Sequence, residues 1–120
     1  MTSELFVYGT LTDPATVLEV LGRPCAAVPA ALQNYERRVG RYAYLVEAQG
    51  QEVQGRVLGP LGAADFETLD EYEVVIPKPI EGKMRRLYTR ALAEARLADG
   101  RSLRCWVYVP NLPDWPALWK

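Results

Sequence analysis

The stretch "ELFVYGTLTDP", residues 4–14, decides how the fold begins. Its first part, residues 4–8, is apolar and β-rich, which is typical of a central strand. Asp13 followed by Pro14 is typical of a helix N-cap with proline at the first helical position, and Gly22 predicts the end of that helix. We therefore predict a strand, a short loop and a short helix.

The loop between that strand and helix consists of Tyr8, Gly9, Thr10 and Leu11. Because glycine has no Cβ, successive backbone N–H groups could turn toward one point at this junction and form a small anion site. The other interpretation is an ordinary turn that only reverses the chain. The loop by itself does not decide between them.

Composition is that of an ordinary globular domain. The chain has 120 residues, 49% of them hydrophobic and 24% charged, so we expect one domain over residues 1–120. A formal net charge of −1 provides no field that would collect nucleic acid or an anionic membrane. The first residues of the sequence show no basic segment followed by an apolar stretch and a small-residue cleavage site, and no run of about 18 apolar residues appears. We expect a cytoplasmic protein, a monomer or weak homo-oligomer, without nucleic-acid or membrane partners.

The chain contains no histidine. That absence excludes Ser-His-Asp and Cys-His nucleophile systems, His-ligated zinc and imidazole as a general base. Cys25 and Cys105 lie far apart and outside any C-x-x-C spacing. No G-x-G-x-x-G or Walker-type loop is present, so no nucleotide cofactor is indicated. Proton chemistry in this protein must use carboxylates, lysine or tyrosine.

Residues 24–60 contain short β-rich runs that Gly40 and Gly50–Gln51 should break, which is typical of a meander or barrel wall. Residues 64–73, "ADFETLDEYE", predict a second short helix. Asp99–Gly100 between two alternating runs predicts a hairpin. The predicted fold class is α+β, a mostly antiparallel barrel-like sheet with two short helices.

A cluster of basic and aromatic residues falls within the first of these strands and the turn after it. We interpret it as a solvated strand face rather than an RNA-binding patch. Its members are Tyr35, Arg37, Arg38, Arg41 and Tyr42.

Glu73 stands out in the second helix. On a helical wheel Phe66 and Leu69 form the inward stripe, and Glu73 falls four residues after Leu69 on the same stripe. Burial and the negative end of the helix dipole should both raise the pKa of this carboxyl, which suits a general acid/base. Alternatively, an arginine could pair with it across the edge of the core. The available arginines are Arg85, Arg86 and Arg90.

Three motifs in order, "FVYGTL" at 6–11, "LDEYE" at 69–73 and "LYTR" at 87–90, resemble the gamma-glutamylcyclotransferase-like family. The resemblance extends from Phe6 to about Tyr108. It implies a small barrel-like α+β fold and a cofactor-independent, metal-free enzyme of the acyltransferase or lyase type. Such enzymes cleave γ-glutamyl amides by cyclisation to 5-oxoproline.

Carried onto matching positions, the resemblance implies that Glu73 is the acid/base. It also implies that Tyr8, Gly9, Thr10 and Leu11 grip the glutamyl moiety of a small γ-glutamyl compound. The reaction needs no protein nucleophile, because the substrate's own α-amine attacks the side-chain carbonyl through a five-membered ring.

The chain departs from the family pattern after Glu73. Val74 stands where members usually carry glycine, and residues 74–86, "VVIPKPIEGKMRR", lengthen the link to "LYTR". We expect this insert either to act as a lid over the site or to reshape it, and to form the pocket of the leaving amine. It also contains Glu81–Gly82, a poorer match to the acidic motif.

Three functions remain open at this point. The first is the γ-glutamyl cyclotransferase, and the second is a non-catalytic module in which the loop holds a small acidic ligand while Glu73 is structural. The third is a homo-oligomeric structural protein with Trp115 and Trp119 in its interface; otherwise these tryptophans should pin an extended tail on the domain. For the first function, Glu73 should face the Gly9 loop across a cavity without an arginine bonded to it.

Overall fold

The computed structural model describes residues 3–40, 42–75 and 77–111. Within these ranges the chain forms seven strands and two helices. The strands are β1 (Leu5–Val7), β2 (Ala27–Val39), β3 (Ala43–Leu58), β4 (Lys78–Ile80), β5 (Lys83–Arg85), β6 (Tyr88–Leu97) and β7 (Ser102–Pro110). The helices are α1 (Pro14–Leu21) and α2 (Ala63–Tyr72). The C-terminal tryptophans lie outside the described residues.

Five strands close into a barrel in the order β1-β3-β2-β6-β7. The short strand β1 completes the ring, because it pairs antiparallel with β3 on one side and parallel with β7 on the other. All other neighbours in the barrel are antiparallel. The predicted α+β class with a mostly antiparallel barrel-like sheet and two short helices is therefore confirmed.

The opening unit has the predicted strand, loop and helix. The Asp13 carboxylate accepts a hydrogen bond from the N–H of Ala15 at 3.1 Å, and Pro14 is the first helical residue. Gly22 ends α1 in the left-handed conformation, with φ of 74°. A 3-10 turn over Thr10–Thr12 fills the loop. These caps fix the direction in which the loop leaves β1.

The expected break at Gly50–Gln51 is wrong, whereas the break at Gly40 is confirmed. Strand β3 continues through Gly50, and the pairing with β2 shifts register around Asn34. Both residues have positive φ, and the N–H of Gly50 donates to Asn34 Oδ1 at 3.1 Å. The glycine therefore belongs to an irregularity within the strand pair, where residues 48–51 lie opposite Asn34, rather than to a turn that ends the strand.

The strand β1 lies unusually close to β3. A Cβ at Gly55 would clash with the carbonyl oxygen of Val7 and would lie 2.6 Å from Phe6 Cζ. Leu5 and Val7 belong to one buried cluster and Phe6 to the other, so β1 contributes to both sides of the core. Its side chains and this close approach hold the start of the loop in place.

The insert after α2 forms a hairpin of β4 and β5, which is a separate two-stranded sheet. Ile80 packs against one edge of the core, and the turn at Glu81–Gly82 has positive φ at both residues. The Asp99–Gly100 hairpin joins β6 to β7 as predicted, with the N–H of Leu97 donating to the carbonyl of Arg101 at 2.8 Å. Among the described residues, no helix has the length and apolar character needed to cross a membrane.

Candidate active site

A cavity of about 690 Å³ opens beside the loop that follows β1. Its walls come from that loop, from the end of α2 and from the neighbouring ends of β2, β3, β6 and β7. The five residues singled out from the sequence all line it: Tyr8, Gly9, Thr10, Leu11 and Glu73. The fold thus brings the loop residues and Glu73, which are about sixty positions apart in the chain, to the same cavity.

Glu73 is the residue directly after α2, where its N–H donates to the carbonyl of Leu69 at 2.8 Å. Phe66 and Leu69 are buried as predicted, and Glu73 continues their stripe but reaches the cavity rather than the core. Burial of the carboxyl raises its pKa to about 7. At neutral pH the group is therefore divided between its protonated and ionised forms.

Within the described part of the chain, no hydrogen bond or ion pair engages the Glu73 carboxyl. Arg90 instead pairs with Asp70 at 3.0 Å and stacks over the rings of Phe66 and Trp106. Arg85 donates from Nε to the carbonyl of Ile80 at 3.2 Å. Since a carboxyl without a partner is costly to ionise when buried, the raised pKa follows from this isolation.

Three tyrosines line the cavity together with Glu73: Tyr88 and Tyr108 are buried, and Tyr8 is partly buried. The hydroxyl of Tyr8 donates to the carbonyl of Tyr108, and that of Tyr88 donates to the carbonyl of Ala43, both at 2.6 Å. The hydroxyl of Tyr108 donates to Asp70 Oδ1 at 2.7 Å. Burial raises the pKa of all three phenols, and the nearby charge of Glu73 adds to this effect. They remain neutral and supply a rigid, mostly apolar wall.

The loop contributes backbone donors. Thr12 and Asp13 donate their N–H groups to the carbonyls of Gly9 and Thr10, at 3.1 and 3.2 Å. The N–H groups of Gly9, Thr10 and Leu11 take part in no hydrogen bond among the residues that the structure describes. The Thr10 hydroxyl is hydrogen-bonded to the hydroxyl of Tyr72 at 2.7 Å, which ties the loop to the end of α2. The loop is a turn that also leaves three amide donors unused at the cavity wall.

The backbone of Gly9 is neither helical nor extended. Its φ is −126°, and a Cβ there would touch only the Cβ of Ala43, at 3.9 Å. A Cβ at position 9 would therefore find space, and the φ of Gly9 lies outside the left-handed region that favours glycine.

Arg37 and Tyr42 are both exposed, as expected for a solvated strand face, and both also line the cavity. Arg37 donates from Nε to the carbonyl of Tyr8 at 3.1 Å. Arg38 fits the earlier interpretation, since it forms an exposed ion pair with Glu36 at 2.9 Å. Among the described lining residues, Arg37 and Glu73 are the only ones with charged side chains. Neither residue pattern nor spacing predicts that Arg37 lines the cavity, because this depends on where the end of β2 lies in the folded protein.

The insert contributes less than expected. Val74 lines the cavity, but none of residues 77–86 does. The expectation that the insert forms a lid or the leaving-group pocket is therefore wrong for the β4–β5 hairpin, whereas Val74 at the start of the insert does contribute to the cavity. Glu81 lies in the hairpin turn, away from the cavity, and is no alternative to Glu73. Val74 has φ of 55°, a left-handed conformation that glycine adopts more easily than valine.

No group of three or more metal-ligating side chains occurs within residues 3–40, 42–75 and 77–111. The arrangement offers a titrating carboxyl, backbone donors and one cation around a space for a small organic molecule. Fold and site together define a small barrel protein with a carboxyl-bearing cavity.

Comparison with known proteins identifies the family to which this barrel protein belongs. The family model "Gamma-glutamyl cyclotransferase, AIG2-like" matches residues 5–118. Protein AIG2 C from Arabidopsis thaliana is 31% identical over 72 residues, which are 58% of this chain and 44% of that protein. The chain thus spans less than half the length of this curated relative.

Solved structures agree on the fold. A solution structure of a protein from Arabidopsis thaliana has a TM-score of 0.75 at 26% identity, over 97% of this chain and 66% of that one. A structure described as a gamma-glutamyl cyclotransferase has a TM-score of 0.74 at 18% identity, over 92% of this chain and 68% of that one. The chain belongs to the AIG2-like gamma-glutamyl cyclotransferase family, and the resemblance seen in its sequence is confirmed.

Proposed function

We propose that this protein is an enzyme that releases an amine from a γ-glutamyl amide by cyclising the glutamyl group to 5-oxoproline. One observation carries the proposal: an unpartnered carboxyl, Glu73, with its pKa raised to about 7, lines the same cavity as the Gly9 loop. A carboxyl that only stabilises the fold would be expected to have a cationic or hydrogen-bonding partner.

Glu73 acts as base and then as acid. In its ionised form it takes a proton from the substrate's α-ammonium group, and the freed α-nitrogen attacks the γ-carbonyl carbon to form the new C–N bond of a five-membered ring. The protonated Glu73 then gives a proton to the departing nitrogen as the old C–N bond breaks. The two protons lost by the α-nitrogen end on the leaving amine. A pKa near 7 suits both halves of this cycle.

The loop and Arg37 hold the substrate. The unused N–H groups of Gly9, Thr10 and Leu11 can donate to the oxyanion that develops on the γ-carbonyl, where one well-aimed donor is worth about 3 kcal/mol. Arg37, anchored on the carbonyl of Tyr8, supplies the positive charge for the substrate's α-carboxylate. The γ-carbonyl and the α-carboxylate of the glutamyl group would then each have a hydrogen-bond donor or a positive charge beside them.

The test is a panel of γ-glutamyl amides and dipeptides incubated with wild-type, Glu73→Gln and Glu71→Gln proteins, with 5-oxoproline measured by mass spectrometry. Glu71 is an exposed carboxylate two residues away, so Glu71→Gln is the matched control. We expect Glu73→Gln to lower the rate by about 10²-fold or more and Glu71→Gln to leave it unchanged. Equal rates for Glu73→Gln and wild type would refute the catalytic assignment. If no compound yields 5-oxoproline, the protein is a binding module instead.

A further inference from the structure

The opening of the cavity carries apolar and aromatic side chains that water would not favour. Val39, Tyr42 and Tyr72 are 67%, 49% and 40% exposed, and all three line the cavity. We refer to these three residues as the rim. Single exposed hydrophobic residues are common on protein surfaces, but several that converge on one opening mark a binding surface.

The cavity is larger than a glutamyl group needs. Its volume of about 690 Å³ lies within the range of roughly 300–1,000 Å³ of sites that enclose drug-sized ligands. With the glutamyl group held between Glu73 and the Gly9 loop, the remaining space extends toward the rim. In a cyclisation the group directed there is the leaving amine.

The charges of the lining residues indicate what kind of amine fits. Among the described residues around the cavity, Glu73 and Arg37 alone are charged, and the proposed reaction uses both. A leaving amine with a second ammonium group would find no further carboxylate, and one with a carboxylate would compete for Arg37. Placing an unpaired charge against an apolar surface is unfavourable. A leaving amine with a neutral side chain would neither lack a charged partner nor compete for Arg37.

On the basis of the proposed function, we infer that the rim selects γ-glutamyl amides whose leaving amine carries a neutral apolar or aromatic group. Tyr42 and Tyr72 provide aromatic faces on which such a group can pack, and Val39 completes the apolar surface. Substrate choice would then depend on the ends of β2 and α2 and on the turn after β2, not on the β4–β5 hairpin.

The experiment compares kcat/KM for four γ-glutamyl amides. Phenethylamide and ethylamide differ in an aromatic ring, whereas pentylamide and the monoamide of 1,4-diaminobutane have equal length and differ in a terminal methyl or ammonium group. We expect the phenethylamide to exceed the ethylamide, and the pentylamide its charged counterpart, each by about tenfold or more.

Val39→Ser and Val28→Ser form a matched pair, because both valines lie on β2 and are exposed but only Val39 lines the cavity. Val39→Ser should reduce the preference for phenethylamide over ethylamide about threefold or more. Val28→Ser should leave that ratio unchanged.

Two results would overturn the inference while leaving the cyclotransferase activity in place. One is equal turnover of phenethylamide and ethylamide, or an equal ratio in Val39→Ser and wild type. The other is a preference for the charged amide, which would show that the tyrosines bind a cation through their ring faces. Absence of 5-oxoproline from all four amides would refute the proposed function itself, and the inference with it.

Discussion

At the scale of single residues, Glu73 couples the stability of the protein to pH. Its folded pKa of about 7 is above its ordinary value of 4.5, so the folded state holds this proton more tightly than the unfolded state. The stability contributed by the protonated form is complete below about pH 4.5 and is lost as pH rises through about 7.

Glu73→Gln should therefore be more stable than wild type at pH 8 and close to it at pH 4.5, because glutamine resembles the protonated carboxyl. Thermal unfolding of both proteins from pH 4.5 to 8 measures the difference. Glu71→Gln, at an exposed position, serves as the control and should follow wild type. A Tm difference that does not grow with pH would mean that Glu73 is ionised at little cost in the folded protein.

The same carboxyl should set the acid limb of the pH–rate profile of the proposed reaction. Below about pH 7 the base form of Glu73 is depleted, so kcat/KM for a γ-glutamyl amide should fall about tenfold per pH unit on acidification. Steady-state kinetics between pH 5 and 8 tests this expectation. A flat profile across that range would contradict a role for Glu73 as base.

Arg37 should affect substrate binding more than chemistry. Arg37→Gln removes the charge proposed to meet the α-carboxylate and should raise KM about tenfold, since a charge-assisted hydrogen bond contributes roughly 1.5–3 kcal/mol. Arg38→Gln, on the adjacent residue with an exposed ion pair, is the control. If both variants have wild-type KM, the α-carboxylate is held by the loop amides alone.

At the scale of secondary structure elements, the close approach of β1 and β3 at Gly55 positions the loop. Gly55→Ala would place a methyl group against the Val7 carbonyl and the Phe6 ring. We expect a loss of about 1–3 kcal/mol in the free energy of unfolding, measured by urea denaturation. Gln54→Ala, at the exposed neighbouring position, should change it by less than about 0.5 kcal/mol. Equal effects would show that β1 can move away from β3 at no cost.

The elements that the sequence predicts well are those with local causes. Asp13, Pro14 and Gly22 bound α1 through their own backbone and capping preferences, and Asp99–Gly100 specifies its hairpin in the same way. The predicted strand break at Gly50 is wrong because glycines with positive φ occur both in turns that end strands and in irregularities within them. Asn34, its hydrogen-bonding partner across the sheet, becomes relevant only once β2 and β3 are paired.

In the candidate site, too, the residues that belong to local sequence patterns could be predicted and the others could not. Glu73 follows from helical periodicity and the loop from its motif, since both are local patterns. Arg37 and Tyr42 are exposed as predicted, but nothing in a strand sequence tells that the end of β2 and the turn after it will lie beside the loop that follows β1. The sequence also could not show that β4 and β5 form a separate sheet and do not line the cavity, because both facts depend on tertiary structure.

At the scale of the whole molecule, the barrel and the β4–β5 hairpin should differ in dynamics. The hairpin forms its own two-stranded sheet, and Lys78, Lys83 and Met84 are exposed. Its amides should exchange with solvent through local opening, whereas amides of β3 and β7 should exchange only in larger unfolding events. Native-state hydrogen exchange followed by NMR measures both groups. Hairpin amides as protected as those of β7 would show that the insert is an integral part of the core.

The strand β1 also has a consequence for how the protein reaches its native state. Its partners are residues 56–58 and residues 106–107, so it meets β7 across roughly a hundred positions of chain. Contacts of such long range carry the largest loop-closure cost and tend to slow folding. Because the Gly9 loop continues directly from β1, the cavity cannot be complete until the ring closes. The rate at which the proposed activity recovers during refolding would therefore report the closure of the barrel. A spectroscopic signal from the pairing of β2 with β3 would not report this step.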